Sequence, residues 1–282
     1  MKKVVLLVVA VCFSVFSFAQ DAADKINQAN EALQGKEYAK ALELYESAMA
    51  NLGDVQVPDA INFNIGMAAY NSDNYEKAIQ YFEKAVAANA NVDKSYEYIA
   101  GAYAKMDKTN EALDAYAKAI EVSPADKASL SYNAGIVAYK GQEYAKAVDF
   151  FTASVAGDYK GETAQYYKAV ALNKLNKDAE YKAALEEGVA KFSGDDKLSK
   201  ALANVYVSEG NELYKKGAGI LSAANTKVND GSMSTADDAY AAEVAKSKKE
   251  FAAALEILEK AAALDASNAN AQKLIEACKA AM

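Results

Sequence analysis

The feature that most limits how this chain can fold is a ladder of small residues returning every 34 to 37 positions. Ala41, Ala78, Ala112 and Ala147 are 37, 34 and 35 residues apart, and Tyr181 stands 34 further on. Seven residues after each come Ala48, Ala85, Ala119, Ser154 and Gly188, with Tyr45, Phe82, Tyr116, Phe151 and Leu185 between them. A second series, Ala29, Gly66, Ala100, Gly135, Ala169 and Ala203, runs upstream of the first. This spacing describes two amphipathic helices per unit. Small residues let the two backbones approach, and the large apolar residue fills the space beyond the contact. One such hairpin cannot bury its own apolar face, so successive units must stack. With only 2 prolines in 282 residues, little interrupts the helices.

The ladder resembles the tetratricopeptide repeat, a helix–turn–helix unit of 34 residues. The second unit carries the resemblance in Phe63, Ile65, Gly66, Tyr75, Ala78, Phe82 and Ala85. The third carries it in Tyr96, Ile99, Ala100, Tyr103, Ala112, Tyr116, Ala119 and the closing Pro124. Units begin near Ala22, Asp59, Asp93, Ala128 and Glu162, so five repeats are expected over 20–195. Lys25 and Gln28 replace large apolar residues in the first unit, as a solvent-facing end cap would, and Asp178 and Tyr181 replace the usual Tyr and Ala in the fifth. The resemblance implies an all-α, right-handed α-α superhelix. Beyond residue 195 the period fails. Residues 196–268 are expected to form either one lengthened hairpin turning near Gly231 or two degenerate repeats, because Gly210, Gly217 and Gly219 argue against an unbroken helix. A capping helix over 269–282 would lay Leu274, Ile275 and Cys278 on the last repeat.

Residues 1–19 hold two lysines, an apolar run from Val4 to Phe18 and small residues at Ser17 and Ala19, the pattern of a cleavable secretory signal. The run is too short to span a bilayer, and no cysteine follows the expected cleavage point, so a periplasmic or secreted protein without a lipid anchor is expected. Cleavage would take the net charge from −8 to −10 and leave Cys278 as the only thiol.

Composition removes many chemistries. The chain has no His, and its basic residues are all Lys. A Ser-His-Asp triad, a Cys-His pair and a His-ligated metal cannot be drawn, and neither can bidentate guanidinium forks onto phosphate. A pI near 4.9 opposes nucleic acid as a partner. The Gly157–Gly161 segment lacks the Lys-Ser/Thr ending of a phosphate loop, and Thr226 and Val228 stand where a calcium loop needs oxygen ligands. No catalytic residue, metal or cofactor is therefore expected.

A binding surface is expected instead. Carrying over the positions that line the family's concave groove gives Phe63, Met67, Tyr70, Tyr132, Ile136, Tyr139, Tyr166 and Val170. Lys105, Lys140 and Lys174 fall at the last groove position of three successive units, 35 and 34 residues apart. Aromatic residues beside a lysine edge suit an extended, acidic peptide or protein segment. Lys200 and Asn204 match one half of the family's carboxylate clamp, without the other half in the adjacent unit. The expected function is a non-catalytic, exported scaffold for protein or peptide binding in the cell envelope. The alternatives are a self-assembling structural component of the envelope and a groove receptor for a small molecule or glycan.

Overall fold

The structure, a computed structural model, describes residues 20–53 and 55–282. The expected signal segment, 1–19, lies outside the described residues. Every regular element among the described residues is helical. The helices are α1 (20–34), α2 (Tyr38–Met49), α3 (Ile61–Asn71), α4 (Tyr75–Ala87), α5 (Val92–Lys105), α6 (Thr109–Val122), α7 (Lys127–Lys140), α8 (Tyr144–Ala156), α9 (Gly161–Lys174), α10 (Asp178–Lys191), α11 (Asp196–Asn229), α12 (Asp238–Leu264) and α13 (Ala269–Ala281). They form two compact units, and the chain passes from one to the other after Lys160.

In the first unit, odd- and even-numbered helices pair as antiparallel hairpins, and each hairpin packs on the next. The ladder of small and large residues is its core. Tyr45, Phe82 and Phe151 are fully buried and Tyr116 nearly so. Each large ring sits where a small residue of the partner helix leaves room: a β-carbon on Gly66 would lie 2.7 Å from the Phe82 ring, and one on Gly135 2.8 Å from the Phe151 ring. Replacing either glycine fills space already taken by an immobile aromatic ring.

The turns inside the hairpins repeat as faithfully as the core. Lys36, Asp73, Asp107 and Gln142 have φ values of 61°, 61°, 58° and 64°, in the left-handed region. Asn176 in the second unit, at 57°, continues the series. After each, a backbone N–H reaches back five residues to close the helix: Glu37 to Ala32 at 2.8 Å, Asn74 to Ala69 at 2.9 Å, Lys108 to Tyr103 at 2.9 Å, Glu143 to Ala138 at 2.8 Å and Lys177 to Leu172 at 3.1 Å. This is the left-handed helix end that glycine normally supplies. Here Lys, Asp, Gln and Asn adopt it, so the hydrogen bonds and the packing of the next helix hold a backbone that L-residues disfavour.

The second unit opens with α9 and α10 around buried Leu185 and Leu198, and continues into a hairpin of 34-residue α11 and 27-residue α12. Contrary to the glycine argument, α11 runs unbroken through Gly210, Gly217 and Gly219. Two of these are contact points: a β-carbon on Gly210 would meet Leu258 at 2.6 Å, and one on Gly217 would meet Phe251 at 2.9 Å. The Ser247 hydroxyl donates to the Gly217 carbonyl at 2.8 Å in this buried seam. The glycines therefore admit α12 to close range, and burial outweighs their poor helix propensity of about 1 kcal/mol each. Helix α13 starts on Asn268, whose Oδ1 accepts from the Ala271 N–H at 3.1 Å, and buries Ala271 and Cys278 against α11 and α12.

Candidate functional site

Hairpins of the first unit stack, and the first helices of three successive repeats, α3, α5 and α7, contribute to one pocket together with the turns that follow α5 and α7. Between α5 and α7 this leaves a pocket of about 480 Å³. Tyr70 of α3, Gly101, Ala104 and Lys105 of α5, Ile136, Val137 and Lys140 of α7, and the turn residues Asp107, Thr109, Gly141 and Gln142 line it. Four of the candidate residues thus meet at one place: Tyr70, Lys105, Ile136 and Lys140.

Each wall has a local cause. Gly101 is the opening through which Tyr70 reaches the pocket, since a β-carbon there would lie 2.9 Å from the Tyr70 hydroxyl. The Tyr70 ring is fixed edge-on against Tyr75 at 5.7 Å and Tyr98 at 5.2 Å between centroids. Burial, with smaller contributions from Tyr98 and Glu97, raises the Tyr70 pKa, so its hydroxyl stays protonated and able to donate at neutral pH. Lys105 and Lys140 are exposed at the rim, and neither has a carboxylate within ion-pair distance among the described residues. Asp107 is the single carboxylate of the lining. Two ammonium groups against one carboxylate make a locally positive site on a chain of net charge −8.

The other candidates in this unit lie outside the pocket. Phe63 turns into the core, with its ring 5.5 Å from Phe82 and 6.0 Å from Tyr98. Met67 is half-buried on α3. Tyr132 packs edge-on against Phe151 and Tyr159, at 6.1 and 5.8 Å, and one face is covered by the Lys160 ammonium 4.4 Å from the centroid. Tyr139 is held against Tyr144 at 5.6 Å. In the second unit, Tyr166 packs on Tyr167 at 5.8 Å, Val170 is half-buried and Lys174 is exposed, with no ion-pair partner among the described residues. Neither Tyr166 nor Lys174 lines the pocket of about 630 Å³ near Tyr181 and Asn204, where Lys182 pairs with Glu209 at 2.8 Å. The half-clamp residues are engaged internally: Lys200 pairs with Asp196 at 2.9 Å, and Asn204 accepts from Asn268 at 3.1 Å.

Sequence reasoning missed Gly101, Thr109 and Gln142, and it missed Tyr98, which packs edge-on against Phe63. Counted from the small residues Gly66 and Ala100, Tyr98 stands one position beyond the register of Phe63, so position matching passes over it. No three His, Cys, Asp or Glu residues among the described residues are placed to hold a metal ion, and no described helix is long and apolar enough to cross a membrane.

Residues 26–93 and 99–162 match the family model of the tetratricopeptide repeat. No curated protein matches the chain. Among solved structures, a tetratricopeptide repeat protein from Parabacteroides merdae is similar at 17% identity over 92% of this chain and 99% of that one, with a TM-score of 0.50. The C-terminal part of a repeat-containing protein from Cytophaga hutchinsonii is similar at 14% identity over 89% and 99%, with a TM-score of 0.52. YrrB, described as having an unusual peptide-binding site, is similar at 18% identity over 66% and 94%, with a TM-score of 0.50. At these identities the likeness concerns the fold.

Proposed function

We propose that this chain, whose residues 26–93 and 99–162 match the family model of the tetratricopeptide repeat, is an exported, non-catalytic scaffold of that repeat class that binds an extended, acidic protein or peptide segment in the cell envelope. The observation that carries this reading is the pocket between α5 and α7, lined by half-buried Tyr70 and by two exposed lysines from the last turns of the first helices of successive repeats, neither with an ion-pair partner among the described residues. A segment laid across it would place carboxylates at Lys105 and Lys140 and an apolar or hydrogen-bonding group against Ile136 and Tyr70. Exposed charge pairs are worth about 0–1 kcal/mol each. The lysines would chiefly orient the ligand and speed its arrival, and the walls of the pocket would hold it. The peptide-binding site named for YrrB belongs to that protein and is consistent with this use of the fold.

Export rests on residues 1–19: two lysines, the apolar run and the small residues before Gln20. Two measurements test the reading. Intact mass of the native protein should correspond to a chain beginning at Gln20 or Asp21, without lipid; retention of residues 1–19 would refute export. An array of end-blocked acidic, neutral and basic decapeptides should give its hits among the acidic, extended sequences. Hits independent of peptide charge would refute the acidic reading, and hits confined to a sugar array would transfer the groove to a glycan.

A further inference from the structure

The face of α5 turned away from that pocket carries Tyr96 and Tyr103, seven residues and two helical turns apart, on one side of the helix. Helices α4 and α6 flank this face, and the three enclose a second pocket of about 300 Å³. Glu83 enters it from α4, and Glu111, Asp114 and Lys118 from α6. None of the three carboxylates has an ion-pair partner among the described residues, although this chain readily pairs acids with lysines between helices, as Glu46 with Lys77, Glu187 with Lys168 and Glu209 with Lys182. Asp114 and Lys118 stand four apart on one helix, the spacing at which they would join. Lys118 instead extends its ammonium over the Tyr96 ring, 5.7 Å from the centroid. The pocket therefore already holds one ammonium by its aromatic face, inside the roughly 6 Å range of such contacts. Over Tyr103 the nearest ammonium, Lys108, stays at 6.0 Å, the outer edge of that range.

Three carboxylates against one lysine leave the pocket negative, on the far side of the same helix whose other face lines the lysine-rimmed pocket. The carboxylates do not converge as ligands of a metal ion. Dispersed acids around tyrosine rings, in a volume suited to one long side chain, complement a cation that carries its own apolar stem. We propose that this second pocket receives a lysine or arginine side chain of a partner protein, its charged head over Tyr103 and among Glu83, Glu111 and Asp114. The two faces of α5 would then select opposite charges. The site stands on different residues from the acidic-segment reading, so either can fail without the other.

The test uses the purified full chain and a fluorescently labelled, end-blocked decapeptide of alternating Lys and Gly, followed by anisotropy. The peptide should bind, and the same peptide with every lysine Nζ-acetylated should not. The combined Glu83→Gln, Glu111→Gln and Asp114→Asn variant should weaken binding about ten-fold. A control removing the same charge from exposed acids elsewhere, Glu31→Gln, Glu43→Gln and Glu276→Gln, should change it by less than about two-fold. Lys118→Gln, which vacates the Tyr96 ring, should tighten binding. Equal weakening by the two triple variants would reduce the effect to net charge and overturn the proposal. So would binding of the acetylated peptide, or a self-associated state of the chain that the pocket substitutions dissolve, since a second copy would then be the occupant.

Discussion

Replacing glycine with alanine inside a helix ordinarily stabilises it by about 1 kcal/mol. Gly66 and Gly219 both lie inside helices, and the structure gives the same replacement opposite signs at the two positions. At Gly66 the new β-carbon would lie 2.7 Å from two carbons of the Phe82 ring. That ring is fully buried, stacked on Tyr98 at 5.1 Å and flanked by Phe63 at 5.5 Å, so it has nowhere to move. Overpacking of this kind costs about 1–3 kcal/mol. Set against the propensity gain, Gly66→Ala should be destabilising by up to about 2 kcal/mol. Nothing lies within 4 Å of a β-carbon on Gly219, so Gly219→Ala should stabilise by about 0.5–1 kcal/mol. Adding Phe82→Leu to Gly66→Ala should recover part of the loss, because residues in contact couple by about 0.5–3 kcal/mol. Urea unfolding followed by far-UV circular dichroism and tyrosine fluorescence measures all three. Stacked repeats can unfold in steps, so each substitution is read on the transition of its own unit. Equal stabilisation by both alanines would mean that Phe82 does not occupy the space beside Gly66 and that the hairpin register is wrong.

Three further outcomes follow from the same structure. Lys36→Gly, at a left-handed helix end with φ of 61°, should stabilise the first hairpin by about 0.5–1 kcal/mol in thermal unfolding, and a loss of stability would show that the Lys36 side chain contributes more than its backbone strain costs. Burial raises the pKa of Tyr116 from 10.0 to about 12, so its contribution to stability is whole below about pH 10 and is lost as pH rises through about 12. Circular dichroism against pH should show alkaline unfolding in that window for wild type and a weaker transition for Tyr116→Phe; superimposable curves would refute the assignment. Gly101→Ala presses on the free end of the Tyr70 side chain, so it should weaken acidic-peptide binding several-fold while shifting unfolding by less than about 1 kcal/mol. Unchanged affinity would remove Tyr70 from the binding surface.

The stacked hairpins were legible because the small and large residues that make helix–helix contacts recur in register, and each contact needs both members. Gly66 and Phe82, or Gly135 and Phe151, announce the pairing by themselves. The turns were not legible in the same way. Their left-handed residues are Lys36, Asp73, Asp107, Gln142 and Asn176, none of them glycine, and only the geometry shows the shared conformation. Gly210 and Gly217 misled in the opposite direction: propensity read them as breaks, whereas Leu258 and Phe251 use the missing side chains as sockets. At the candidate site, sequence register put Tyr70, Lys105, Ile136 and Lys140 among the groove positions, and in the structure these four line one pocket. It could not show that Tyr98 draws Phe63 inward or that Lys160 covers Tyr132, because a helix face gives a direction and the neighbouring helices decide what occupies it.

We propose above that the pocket between α5 and α7 takes an acidic segment. The most direct test is the affinity of an end-blocked, alternating Asp-Gly decapeptide as a function of salt, for wild type and for the Lys105→Gln, Lys140→Gln double variant. Wild type should lose affinity as salt rises, and the double variant should bind about three- to ten-fold more weakly at low salt with a flatter salt dependence. Identical affinities and salt slopes for the two proteins would place the acidic segment elsewhere on the chain.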